Sequence, residues 1–155
     1  MGVEYPVKLR TVMAEIRRLH GSDRGLSSSE IDVLAAHTGA IVDAVADAWP
    51  VDTSTSRDAW VDVLHTTAGN VGFDLVNDVY YAEYVHYAGE SPDPPLWETL
   101  LPETVQAMAP ALNADLLGAI AETEHRYQRY VAAGEKRALT RALSERGNYR
   151  AKLAA

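Results

Sequence analysis

An α+β fold, a β-hairpin sheet packed by helices, is predicted by three features of the chain. A capped helical stripe runs from Ser27 to Trp49. Two segments rich in β-branched and aromatic residues, 59–67 and 71–78, flank the turn-forming Ala68-Gly69-Asn70. A helical period then returns after the proline-rich stretch Ser91-Pro92-Asp93-Pro94-Pro95. Helix, hairpin and helix in that order describe an α+β unit rather than a bundle or a barrel.

Each element has its own signal. Val3, Tyr5, Val7, Leu9 and Thr11 alternate with polar neighbours, so residues 3–12 read as a strand. Pro6 restricts it to a sheet edge or an arm, because proline donates no ladder hydrogen bond. Met13, Ile16 and Leu19 recur at threes and predict a short helix over 13–20. Gly21-Ser22-Asp23-Arg24-Gly25 reads as a loop. Ser27 and Glu30 form a capping-box pattern at the start of a helix reaching about Trp49. Ile31, Leu34, Ala35, Thr38, Ile41, Val42, Val45 and Trp49 are its inward stripe, with Asp32, Asp43 and Asp47 outside. Pro50 stops it, since the residue before a proline is pushed out of the α region; a strand is expected to follow.

In that strand Trp60, Asp62, Leu64 and Thr66 share one face, and Val61, Val63, His65 and Thr67 the other. The return strand 71–78 places Val71, Phe73, Leu75 and Asn77 together. Residues 79–88 fit either a strand or a short helix. Pro102 and Pro110 suit first-turn positions. They predict a turn at 96–101, a helical turn or two at 102–109, and a long helix over about 110–132. Leu112, Leu116, Ile120, Thr123, Tyr127 and Val131 form its stripe, and Gly134 is its cap. A basic helix over 135–146 and a tail over 147–155 complete the chain. The domain expectation is one α+β unit at 1–134 and a basic extension at 135–155.

Composition narrows the function classes. The 155 residues are enough to bury a core, and 47% are apolar. There is no cysteine, hence no disulfide, thiolate or zinc–sulfur chemistry. No apolar run approaches the roughly 20 residues of a membrane span, and the N-terminus lacks a signal-like apolar core. A soluble protein made in the cytoplasm is expected, with no membrane partner. The net charge of −8 divides unevenly: +2 over 1–26, −16 over 27–125 and +6 over 126–155. Basic ends on an acidic body suit contact with a neighbouring copy, simple solvation, or nucleic acid.

The stretch Ala48-Trp49-Pro50-Val51-Asp52-Thr53-Ser54 and the later Tyr81-Ala82-Glu83-Tyr84-Val85-His86-Tyr87-Ala88-Gly89 resemble a known family. It is the neck or tail-completion family of long-tailed bacteriophages, also described as morphogenesis or minor tail proteins. Its members open with a short strand and helix, then a long helix ending in Pro-Val-Asp-Thr-Gly. A β-hairpin follows, then a Tyr-Ala-x-Tyr-Val-Glu-x-Gly turn, a proline-containing loop and a C-terminal helix. Pro50, Val51, Asp52 and Thr53 match the first motif, with Ser54 in place of its glycine. Arg57-Asp58-Ala59-Trp60 lies where the family turns into its first strand, and Pro94-Pro95-Leu96 resembles its proline–aromatic step. His86 replaces the usual glutamate of the second motif, and one residue is added before Gly89. The likeness covers about 3–132 and leaves out the basic extension.

The resemblance implies a virion component at the head–tail junction. Such a protein is assembled in the host cytoplasm and forms a ring of roughly six or twelve copies. It would join the tail tube to the head-side connector, with neck, connector and tail-tube proteins as partners. It implies no catalytic residue and no cofactor. Pro50, Val51, Asp52 and Thr53 would shape a turn. Tyr81, Tyr84 and Tyr87, with Trp60 and Trp97, are the interface candidates, since large amphipathic rings favour interfaces. They would otherwise cover the hairpin of their own subunit.

Arg126, Arg129, Lys136, Arg137, Arg141, Arg146, Arg150 and Lys152 interleave with Tyr127, Tyr130 and Tyr149. They are the candidate basic contacts, including weak contact with DNA in a ring lumen.

An enzymatic alternative rests on Glu83-x-x-His86 and Glu122-x-x-His125, the paired spacing of di-iron bundles. That centre needs two more glutamates on two more helices, and the strands over 60–78 remove one of those helices. No metal site is therefore assigned. His37 and His65 are expected to be solvated. A generic α+β interaction module is the third reading.

Overall fold

The computed structural model describes residues 2–21, 24–49, 54–83 and 96–154; the side chains of His20, Ser54, Leu96, Trp97 and 147–154 are outside the described set. The elements are β1 (Val3–Lys8), α1 (Arg10–His20), α2 (Ser28–Ala48), the short α3 (Ser54–Arg57), β2 (Trp60–Thr67), β3 (Asn70–Asn77) and α4 (Leu96–Ala154). The chain divides into two units, Met1–Ile120 and Ala121–Ala155. The sequence expectation had put this division after 134.

The sheet is antiparallel with strand order β1-β3-β2, so the last strand of the three lies in the middle. Val3 faces Asn77 and Lys8 faces Gly72 across β1 and β3. Trp60 faces Asn77 and Thr67 faces Asn70 across the hairpin. β1 is an edge strand, as Pro6 requires. It ends at Lys8 rather than continuing to residue 12, because the inward residues change period there. Leu9, Val12 and Ile16 are buried and Met13 and Leu19 pack against them, a helical stripe that begins before the expected helix. The Leu9 N–H donates to the Val71 carbonyl at 2.9 Å, tying the strand-to-helix junction to β3.

The strand–strand approach is closest at Gly72. A Cβ there would lie 2.0 Å from the Val7 carbonyl oxygen. The glycine is therefore a requirement of the β1–β3 pairing, not a weakness in the strand.

α2 matches its expected bounds, and both hydrogen bonds of its capping box are formed between Ser27 and Glu30. Leu34, Thr38, Ile41, Val45 and Trp49 are buried along it. Ala35, expected in the stripe, is exposed. The expected strand after α2 does not follow at once, since α3 intervenes before β2. The motif Pro50-Val51-Asp52-Thr53 lies outside the described residues, as do Tyr84 to Gly89 and the proline-rich loop 91–95. Of the ambiguous segment 79–88, Tyr80 and Tyr81 form a turn and Ala82 and Glu83 are helical.

The largest correction concerns the C-terminal third. The expected succession of turn, helices and tail is one helix, α4, of 59 residues with Pro102 and Pro110 inside it. An interior proline costs about 3 kcal/mol, chiefly by removing a hydrogen bond and crowding the preceding turn. Here the apolar stripe runs unbroken across both prolines. Leu101 and Leu112 are buried, with Val105 and Met108 packed on the core between them. That continuous burial offsets the proline cost. Gly134 is not a cap: it stands among Ala132, Ala133, Glu135, Lys136 and Arg137, whose helix propensity carries the helix past a residue costing about 1 kcal/mol.

The core lies in the first unit. Val12 and Ile16 of α1, Leu34, Ile41 and Val45 of α2, and Leu101, Leu112, Leu116 and Ile120 of α4 join Trp60, Val71, Phe73 and Leu75 of the sheet. The hairpin faces are those expected from alternation. The outer sheet face carries Glu4, Pro6, Lys8, Val61 and Val63, all exposed.

Candidate interaction surfaces

The described polar side chains that are buried are committed to holding the fold. Glu30 is fully buried, and both of its carboxylate oxygens accept from Arg24 Nη2, at 2.7 and 2.8 Å. It also accepts from the Ser27 backbone N–H and hydroxyl. The loop before α2 is thus clamped to the helix start. The Leu26 N–H, donating to the Thr66 carbonyl at 2.9 Å, fastens the same loop to β2.

At the other end of α2, Trp49 Nε1 donates to Ser56 Oγ at 2.9 Å, and the Trp49 and Trp60 rings meet edge to face at 5.2 Å. Asn77, also fully buried, donates to the Ser56 carbonyl at 2.7 Å and accepts from the Val79 N–H at 3.2 Å. These bonds hold α3 against the ends of α2 and β3. Trp49→Phe keeps a buried aromatic ring, removes the donor and vacates the space of the lost pyrrole ring. It is expected to cost about 1–2 kcal/mol in a urea melt. An unchanged midpoint would show that neither the indole bond nor the lost ring contributes net stability.

The Thr38 hydroxyl donates to Asp62, with the Ala35 carbonyl also within reach at 3.2 Å, joining α2 to β2. The sequence had put Asp62 on the core face beside Trp60 and Leu64 without supplying its partner.

Both histidines expected to be solvated have carboxylate partners instead. His37 Nε2 lies 2.7 Å from Asp115 on α4, and His65 Nε2 lies 2.8 Å from Asp74 on β3. The first pair joins residues far apart in sequence. The second is diagonal across the hairpin: His65 is directly opposite Gly72, whose missing side chain leaves room to reach Asp74. On the surface of α1, Arg18 hydrogen-bonds Glu15 at 2.9 and 2.6 Å, which holds the Glu15 carboxyl below its usual range.

The expected interface residues separate. Trp60 is 4% exposed and belongs to the core of its own subunit, which corrects its place among them. The inward phase of β2 and the edge contact with Trp49 account for this. Tyr81 is half-buried, its ring meeting Tyr80 edge to face. Tyr84, Tyr87 and the Trp97 side chain lie outside the described residues. Tyr80, missed in the sequence, is 76% exposed; it stood one residue outside the Tyr81-x-x-Tyr84 spacing.

Of the basic candidates, Arg126, Arg129, Lys136, Arg137, Arg141 and Arg146 are exposed on α4, and the side chains of Arg150 and Lys152 are outside the described set. Glu122 and His125 are exposed, and Glu122 forms an ion pair with Arg126 one turn on. Among the described residues, no group of three or more His, Asp or Glu is placed to hold a metal ion. Among them, too, no helix is long and apolar enough to cross a membrane.

Two apolar surfaces remain. On the outer sheet face, Val61 is 48% exposed and Val63 45%. On α4, Leu139 and Leu143 are 61% and 59% exposed. The second unit is one stretch of helix in which the described side chains are exposed except for the half-buried Thr123, Glu124 and Val131. Leu139 and Leu143 stand one turn apart on this helix. No protein-family model, characterised protein or solved structure matches the chain.

Proposed function

We propose that this chain is a non-enzymatic structural subunit of a tailed bacteriophage or phage-like particle. It forms a ring at the head–tail junction that joins the tail tube to the head-side connector. The observation that carries the reading is the element order. Strand, short helix, long helix, hairpin and C-terminal helix follow one another as in the family whose motifs the sequence resembles. The exposed valines of β2 and leucines of α4 support an assembling rather than a solitary protein.

Incubation with isolated tail tubes and with connector rings, followed by sedimentation and electron microscopy, tests the position. The protein is expected to cap one end of the tube or one face of the connector. Failure to co-sediment with either would reject the head–tail role. The exposed Lys136 and the exposed arginines of α4 support an additional weak contact with DNA in the lumen. Binding to duplex DNA is then expected at about 50 mM salt and to fall away by about 200 mM. No shift at the lower salt would remove DNA from the partners.

A further inference from the structure

The cations of α4 are sorted to one side of the helix. At about 100° per residue, Arg126, Arg129, Lys136, Arg137 and Arg141 fall within one arc of about 140°. All five are exposed, and Tyr130, Thr140 and Ser144 share the arc. Between 126 and 144 it carries no Asp, Glu, Asn or Gln, because Gln128 and Glu135 lie on the far side. Lys136, Arg137, Thr140, Arg141 and Ser144 line one groove along it, with Glu145 at the border.

This sorting has a cost. Arg137 and Arg141 stand one turn apart, a like-charge spacing that destabilises a helix. Acids are not scarce, since the chain has 22 Asp and Glu against 14 Lys and Arg. Arg18, Arg24 and Arg57 each sit against a carboxylate. On the arc only Arg126 does, through Glu122. Arg129, Lys136, Arg137 and Arg141 have no ion-pair partner among the described residues. Arg137 Nε donates to the Ala133 carbonyl at 3.3 Å, which leaves both terminal nitrogens for a ligand. An external polyanion relieves the repulsion in such a row.

The residue types select the polyanion. Four of the five cations are arginine, whose planar fork matches phosphate. From Arg129 to Arg141 the row is about 18 Å long, and a duplex presents a phosphate charge for every 1.7 Å or so of its axis, about 1.7 Å. The side chains that read adenine or cytosine are missing from the arc. An anionic bilayer requires a large apolar face. Here the apolar side is the short run Ala138, Leu139, Ala142 and Leu143, with Glu135 and Arg146 at its two ends.

We infer that this arc of α4 is a phosphate-backbone contact for duplex DNA, made by Arg129, Lys136, Arg137 and Arg141 without reading base sequence. It rests on the DNA contact within the proposed function, not on the ring, and assigns that contact to one face of one helix.

Fluorescence anisotropy of the full-length protein with two short labelled duplexes of unrelated sequence tests it. The two are expected to bind within about twofold of each other, and log affinity to fall by at least about 3.6 per decade of salt, four contacts at about 0.9 each. Arg137→Gln/Arg141→Gln, which keeps good helix formers at exposed sites, is expected to weaken both duplexes alike. The loss is about tenfold or more at about 50 mM salt, and the salt slope falls by at least about 1.8. Arg10→Gln/Arg17→Gln on α1 makes the same change in net charge and is expected to alter binding by less than about twofold. Arg146→Gln, on the far side of α4, is expected to lose less than Arg141→Gln. Equal losses overturn the arc and leave the DNA contact standing. A preference of about tenfold or more for one duplex, the scale of a base contact, overturns the sequence-independent mode. Binding to phosphatidylserine vesicles with none to duplex overturns the inference in favour of a membrane. No binding to either duplex at the lower salt overturns both the arc and the DNA contact of the proposed function, and leaves the ring untouched.

Discussion

Replacing Glu30 with alanine is expected to lower the unfolding free energy by about 3 kcal/mol, the lower end of the range for breaking a buried ion pair from one side. The carboxylate is fully buried, while Arg24 keeps 19% of its side-chain exposure, so the abandoned guanidinium can recover part of its hydration. Arg24 Nη1 is buried and has no hydrogen-bond partner among the described residues, which leaves little slack for rearrangement. The substitution also opens one arm of the capping box, freeing the Ser27 N–H. Glu30→Gln keeps an acceptor at nearly the same place and removes the charge. It is expected to cost less, about 1.5–2 kcal/mol, the lower part of the range for a hydrogen bond to a charged group. Urea unfolding of the three proteins checks the order. Equal stability of the wild type and the alanine variant would show that burial of the pair costs as much as it returns.

Gly72→Ala is expected to be as damaging, by a different route. The added methyl would meet the Val7 carbonyl oxygen at 2.0 Å, and its other near neighbours, Val7 C and Lys8 Cα, are also backbone. No side chain can swing aside, so β1 must move off β3. Among the described residues β1 pairs with no other strand, and the buried Val3 and Leu9 depend on its position. A loss of about 3 kcal/mol is expected, at the upper end of overpacking costs. Hydrogen exchange should show the β1 amides unprotected while the β2–β3 hairpin stays protected. Retained protection in β1 would mean that the sheet accommodates the methyl by twisting.

The parts of the fold legible in the sequence are those with local signals. Ser27 and Glu30 announced the start of α2, and alternation through 60–77 announced the hairpin and its two faces. The capping box also hid something: the same glutamate is the buried partner of Arg24, and only the folded loop brings the guanidinium to it. Pro102, Pro110 and Gly134 misled because each is a local breaker whose cost is offset non-locally, by burial of Leu101 and Leu112 or by the helix formers around it. His37 was misjudged for the same reason, since its partner Asp115 lies on a helix that reaches it only in the folded chain. Trp60 had the composition of an interface residue and the phase of a core residue, and the phase decided its place. In the candidate surfaces, the sequence showed the basic character of 126–155 but not the exposed valines of β2. Their exposure depends on the helices of the first unit packing against the opposite face of the sheet.

The central claim is that this chain works as an assembled ring, and the molar mass of the purified full-length protein in solution tests it most directly. Light scattering, alone and with tail tubes or connectors added, is expected to give a discrete species of roughly six or twelve chains, each of 16.9 kDa. That species should form from the free protein or on the added partner. A 16.9 kDa monomer at every concentration, indifferent to both partners, would contradict it.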